Sequence, residues 1–233
     1  MSKESIGFGL DLEGPLVNLE IGHHLAHLRT AEEAGIKLTL HDALEKLPHL
    51  IGGPDKAVAE DIYQLTKTIS VENILKRKNE LFNNWLKNIN EIPIRKGLVD
   101  FLQKLIKENI PMVIGTATDK KSAVYYLNKS GLNEYFPEEN VIYGGNFENN
   151  KPAPDIYLAT AKLMGINPKR QIVIEDSPRG VKAAVAAGSL AIGLPVIYNK
   201  ITIENLKEAG AKKIYKEWKD IKLETLIKLL PEI

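Results

Sequence analysis

The chain is 233 residues long, carries 31 basic and 30 acidic side chains for a net charge of +1, and contains no cysteine. The length allows one large domain or a core with a smaller insert, and a sizeable core can be buried without covalent staples. The missing cysteine excludes disulfides, thiolate metal sites and a cysteine nucleophile, and the balanced charge argues against nucleic acid or a membrane surface as a partner.

From the N-terminus, Ile6–Leu10 is a short apolar run leading into Asp11-Leu12-Glu13-Gly14. It reads as a fully buried strand. The opening residues lack the ~7–15 apolar positions of a secretory h-region. The longest weakly polar run, Ala183–Val196, is broken by Gly188, Gly193 and Pro195, and falls short of the ~20 apolar residues a membrane helix needs. A cytoplasmic location is therefore expected. From Pro15 to Ile92 only helical periodicity is found, as in Leu65–Ile69 and Val71–Leu86, with one break at Gly52-Gly53-Pro54. A helical stretch of about 75 residues is too long for one crossover. The reading is a sheet domain of residues 1–14 and 93–233 with a helical domain, residues 15–92, inserted after the first strand.

Beyond the insert, short apolar runs at Met112–Gly115, Val141–Tyr143, Ile172–Ile174 and Leu190–Leu194 alternate with amphipathic stretches. These stretches are Leu98–Glu108, Lys120–Ser130, Pro154–Met164 and Pro178–Ala187. A last strand is expected at Lys213–Tyr215 and a final helix near Leu223–Leu230. Strand–helix alternation predicts an α/β fold: a doubly wound parallel sheet with right-handed crossovers.

Ligands of open parallel sheets bind outside the carboxyl ends of the strands. The first polar residues there are Asp11 and Glu13, Thr116, and Glu175-Asp176, while Lys151 sits in the loop before a helix. Four carboxylates in one dry cleft raise one another's pKa and need a counter-charge. A hard divalent cation held by oxygens supplies it, and Mg²⁺ joined to a phosphate ester fits best. Thr116 offers a hydroxyl and Lys151 a point charge to the phosphate oxygens. Asp11 is then the in-line nucleophile, forming an aspartyl-phosphate.

Four motifs thus occur in order: Asp11-Leu12-Glu13-Gly14, Thr116 after an apolar strand, Lys151-Pro152-Ala153-Pro154-Asp155, and Ile174-Glu175-Asp176-Ser177-Pro178-Arg179-Gly180. In this the sequence resembles the haloacid dehalogenase-like hydrolase superfamily, within it the helical-cap group that includes phosphoglycolate phosphatase and beta-phosphoglucomutase. The resemblance implies Asp11 as nucleophile and metal ligand, and Thr116 with Ala117 as the phosphate-binding turn. It implies Lys151 as the neutralising lysine, and Glu175 with Asp176 as the pair holding Mg²⁺ directly or through water. It also implies a metal contact from the Glu13 carbonyl, and a mobile cap over the leaving group. In the cap, His23 matches a histidine near the mouth of the cleft and Lys78 a lysine that meets the substrate in sugar-phosphate members, the other reading of Lys78 being a solvated helical face. His23, His24 and His27 together read as partly exposed helix residues, not a metal cluster.

One departure stands out. The family's phosphatases carry a second aspartate, the acid and base for the leaving group, where this chain has Glu13. Glutamate is one methylene longer, and a misplacement of ~1 Å can cost ~10²-fold in rate. The implied function is a Mg²⁺-dependent phosphatase of a small phosphorylated metabolite. A sugar phosphomutase is the alternative, and a weakly active or non-catalytic binding protein is the third reading, because of Glu13. The patterns do not fix the oligomeric state.

Overall fold

A computed structural model describes residues 5–51 and 53–231; Gly52, part of the expected break, lies outside the described residues. The chain divides into two compact units, residues 1–18 with 93–233, and residues 19–92. Pro15–Asn18 stay with the first unit. Val17 bridges Glu13 and Ile94, and the Trp218 indole donates to the Pro15 carbonyl at 2.7 Å.

The first unit is built on six parallel strands: β1 (Gly7–Leu10), β2 (Met112–Thr116), β3 (Val141–Tyr143), β4 (Gln171–Glu175), β5 (Leu190–Gly193) and β6 (Lys213–Ile214). They lie in the order β3-β2-β1-β4-β5-β6. Phe8, Leu10, Ile172, Val173 and Ile174 are fully enclosed. A parallel strand covered on both faces reads as a continuous apolar run for this reason. On one face Ile156, Tyr157, Val173, Val181 and Leu206 form a single core. Elsewhere in this unit Phe8 meets Phe101 edge-on at 5.6 Å, and Phe101 packs on Trp218 at 5.0 Å. Each such side chain contributes roughly 1.5–3 kcal/mol on burial.

The second unit holds α1 (Glu20–Glu33), α2 (Leu40–Lys46), α3 (Asp55–Thr66) and α4 (Val71–Asn88). Its core gathers Ala31, Ala34, Leu47, Val58, Ile62 and Ile74. The first unit adds α5 (Leu98–Lys107), α6 (Lys120–Ser130), α7 (Asp155–Met164), α8 (Pro178–Ala186), α9 (Lys200–Glu208) and α10 (Leu223–Ile227).

Some expectations need correction. Leu65–Ile69 is not a helix but the end of one: α3 stops at Thr66, and Lys67 turns the chain with φ 55°. Ser70 then caps α4, accepting from the Asn73 amide at 3.3 Å. Helix α9 was not anticipated, because its lysines blur the apolar stripe of Thr202 and Leu206. His24 and His27 are buried, not partly exposed. Among the described residues no helix is long and apolar enough to cross a membrane.

Candidate active site

The strand order sets the site. The chain leaves β1 for β2 on one side and returns as β4 on the other. The topological switch point thus lies between β1 and β4, where open sheets bind ligands. Asp11 follows β1, and its amide donates to the Ile174 carbonyl at 3.1 Å. Glu175 ends β4. Ser177 then caps α8, its hydroxyl accepting from the Gly180 amide at 3.1 Å, with Pro178 in the first helical turn. A proline there loses nothing, since its missing N–H has no intrahelical partner.

Asp11, Glu175 and Asp176 each present a carboxylate oxygen within 4.8 Å of the others. Lys151 is buried among them and donates to Asp11 Oδ1 at 2.5 Å, Glu175 Oε1 at 2.7 Å and the Gly115 carbonyl at 3.0 Å. Arg179 holds the Lys151 carbonyl, its Nε donating at 3.1 Å. Glu175 is enclosed on every side. Its Oε1 also accepts from the Tyr157 hydroxyl at 2.7 Å. Its Oε2 accepts from the Asp176 amide at 3.1 Å, and from the Ser177 amide and hydroxyl at 3.2 Å each.

Burial pushes the Asp11 carboxyl up to about 7; Lys151 opposes this, while Glu175 and Glu13 add to it. Burial works against the charge on Lys151, but the carboxylates of Asp11 and Glu175 outweigh it and hold the ammonium above the usual lysine range. Fully ionised, the three carboxylates against one ammonium leave two negative charges, which one divalent cation would balance. The donors are hard oxygens, which suit such an ion. Glu175, with both oxygens already engaged, would act through water, and Asp11 and Asp176 directly.

Two glycines make the close packing work. A Cβ on Gly14, whose φ is +94°, would fall 2.1 Å from Asp176 Oδ2. One on Gly180 would fall 1.7 Å from Glu175 Oε1.

The remaining expected residues divide between the two units. Thr116 is buried at the end of β2, and its Oγ1 accepts from the Thr118 amide at 3.1 Å. Ala117 is exposed in the turn that follows. The Glu13 carboxylate takes a hydrogen bond from the Thr118 hydroxyl. His23 and Lys78 belong to the helical unit, where the structure brings them together. Lys78 is buried, not on a solvated face, and donates to His23 Nδ1 at 2.7 Å and to Asp55. The His23 ring stacks on Phe82 at 3.9 Å.

Sequence reasoning missed Tyr157 and Arg95. Tyr157 sits inside α7 and has no local signal of its own. Arg95 is buried and donates to the carbonyls of Gly14 and Lys216 at 3.0 Å and of Pro195 at 3.2 Å. It clamps the turn after β1 to the segments after β5 and β6. An arginine in a chain that otherwise prefers lysine was the signal available.

Comparison with known proteins bears on the family and the fold. Residues 10–194 match the family model described as haloacid dehalogenase-like hydrolase. The phosphorylated carbohydrates phosphatase of Thermotoga maritima is 29% identical over 229 residues, 96% of this chain and 97% of that protein. The beta-phosphoglucomutase of Bacillus subtilis is 22% identical over 230 residues, 91% of this chain and 95% of that one. A solved haloacid dehalogenase-like protein from Agrobacterium tumefaciens superposes with a TM-score of 0.84 at 25% identity, covering 98% of this chain and 100% of that one. The chain belongs to the haloacid dehalogenase-like hydrolases.

Proposed function

We propose that this protein is a Mg²⁺-dependent phosphatase of small phosphorylated sugars, working through an aspartyl-phosphate on Asp11. The observation that carries the reading is the buried Asp11–Lys151–Glu175 cluster with Asp176 beside it. A nucleophilic carboxylate held against a lysine is what in-line phosphoryl transfer needs. The sugar preference is drawn from the likeness to the phosphorylated carbohydrates phosphatase of Thermotoga maritima.

Asp11 Oδ attacks phosphorus while the bond to the sugar oxygen breaks. Lys151 and the Thr116 hydroxyl, with the Ala117 amide, balance charge on the phosphoryl oxygens. Glu13 gives its proton to the departing alkoxide, then takes one from the water that cleaves the aspartyl-phosphate. Phosphate leaves and the Asp11 carboxylate returns. Asp11, Asp176 and the Glu13 carbonyl would hold a divalent cation, which would add positive charge beside the transferring phosphoryl group.

The test is a panel of sugar phosphates and other phosphate esters, with and without Mg²⁺. Mg²⁺-dependent phosphate release that Asp11→Asn abolishes is expected. No release from any ester, or release that survives Asp11→Asn, overturns the reading. A second reading, sugar phosphomutase, is favoured by the buried Lys78 bonded to His23. Isomerisation of a hexose phosphate without net phosphate release separates it from hydrolysis.

A further inference from the structure

We infer that Thr118 is a positioning residue for Glu13, fixing the carboxylate so that glutamate can serve as acid and base where the family uses aspartate. This rests on the phosphatase reading above.

The Thr118 hydroxyl donates to Glu13 Oε1 across 105 positions of sequence. Thr118 is itself held at its amide, which donates to Thr116 Oγ1 at 3.1 Å. On its other side Asp119 caps α6, accepting from the Ser122 amide at 3.1 Å and the Ser122 hydroxyl at 2.7 Å. The hydroxyl is therefore presented from a turn locked at both ends. The backbone of Glu13 is anchored as well: the next amide, of Gly14, donates to the Val17 carbonyl at 2.8 Å. Between these two anchors run the side-chain torsions of Glu13, one more than an aspartate has. Without a far contact the carboxylate would sweep over several rotamers.

The hydroxyl suits both charge states. Oε1 accepts from it whether the carboxyl is ionised or carries its proton on Oε2, so the arm stays in place while the proton leaves and returns. The Thr118 hydroxyl is spent on the acid, which leaves Thr116 for the phosphate.

The test compares kcat/KM for an aryl ester, p-nitrophenyl phosphate, with that for a hexose phosphate. This parameter covers the steps through transfer to Asp11. The aryl leaving group departs without a proton, whereas the alkoxide needs one. General acid catalysis is worth roughly 10²–10⁴-fold. Thr118→Val is expected to raise the ratio of aryl to hexose kcat/KM by ~10-fold or more, Thr118→Ser to restore it, and Thr118→Val to add little in a Glu13→Gln background. Equal loss on both esters, or no loss on either, overturns the inference. Should the valine variant fold poorly, Thr118→Ala takes its place in the same comparison. A crystal structure of the folded variant gives a readout that needs no turnover. Displacement of the Glu13 carboxylate is expected, and an unmoved carboxylate overturns the inference even if the phosphatase reading has failed.

Discussion

The ammonium of Lys151 donates to Oε1 of Glu175 at 2.7 Å, inside a region where the glutamate has no exposed surface. That contact holds the lysine beside Asp11 before any phosphate arrives. Removing one member of a buried ion pair strands the other charge, at a cost of about 3–5 kcal/mol. Lys151→Met is thus expected to lower stability by roughly that amount and to abolish phosphate release. Urea unfolding followed by fluorescence, alongside the ester assay, checks both. A variant as stable as wild type would show that Lys151 is not the counter-charge of this cluster.

Gly180 is needed for a related reason. Its Cα lies so close to Glu175 that an added methyl would fall 1.7 Å from Oε1. The carboxylate is pinned from five directions and has no slack. Gly180→Ala should displace Glu175 and with it Lys151, costing about 1–3 kcal/mol as overpacking does and reducing kcat more than KM. Thermal melts and steady-state kinetics together test this. Normal kcat would mean that Glu175 can move without disturbing the nucleophile.

These contacts mark where the sequence was readable and where it was not. Asp11, Glu175 and Asp176 were legible because each follows an apolar run at the carboxyl end of a strand, a position that parallel sheets assign to ligands. Lys151 was legible from the motif around it, and the burial of Lys78 was not. A lysine on an amphipathic helix looks solvated until Asp55, 23 residues away, is found against its ammonium. The contacts of Tyr157 with Glu175 and of Thr118 with Glu13 were illegible for the same reason: the partners are 18 and 105 residues apart. No local pattern encodes such pairs. Leu65–Ile69 failed differently, because apolar spacing ran on through a left-handed turn at Lys67 that periodicity does not register.

The excess negative charge among Asp11, Glu175 and Asp176 makes the metal requirement testable. Chelation with EDTA is expected to abolish turnover and Mg²⁺ to restore it. Asp176→Asn keeps the shape of the side chain and removes its charge. It should raise the Mg²⁺ concentration needed for half-maximal activity by ~10-fold or more, since even outer-shell changes cost about 10–100-fold in affinity. Titration of activity against Mg²⁺ reads this directly. An unchanged midpoint would remove Asp176 from the ligand set.

The helical unit carries its own pH dependence. His27 is buried, its Nδ1 meets no hydrogen-bond partner, and its Nε2 donates to Asp55 Oδ1 at 3.1 Å. Burial holds its pKa below the ordinary 6.5; the bond to Asp55 opposes this, while Lys78 and His23 add to the lowering. For Asp55, burial raises the carboxyl, but the His27 bond and the charge of Lys78 outweigh it and leave the group well below the usual carboxylate range. The signs follow from linkage. Below pH ~6.5 an unfolded histidine takes a proton that the folded one refuses, so stability falls as pH drops through that value. The Asp55 contribution persists to lower pH and is lost only as pH falls from about 4 toward the depressed value. His27→Gln keeps an amide donor for Asp55 and does not titrate. Wild type should therefore lose more melting temperature than His27→Gln between pH 7.5 and 5.5. Equal losses would place the pH sensitivity elsewhere.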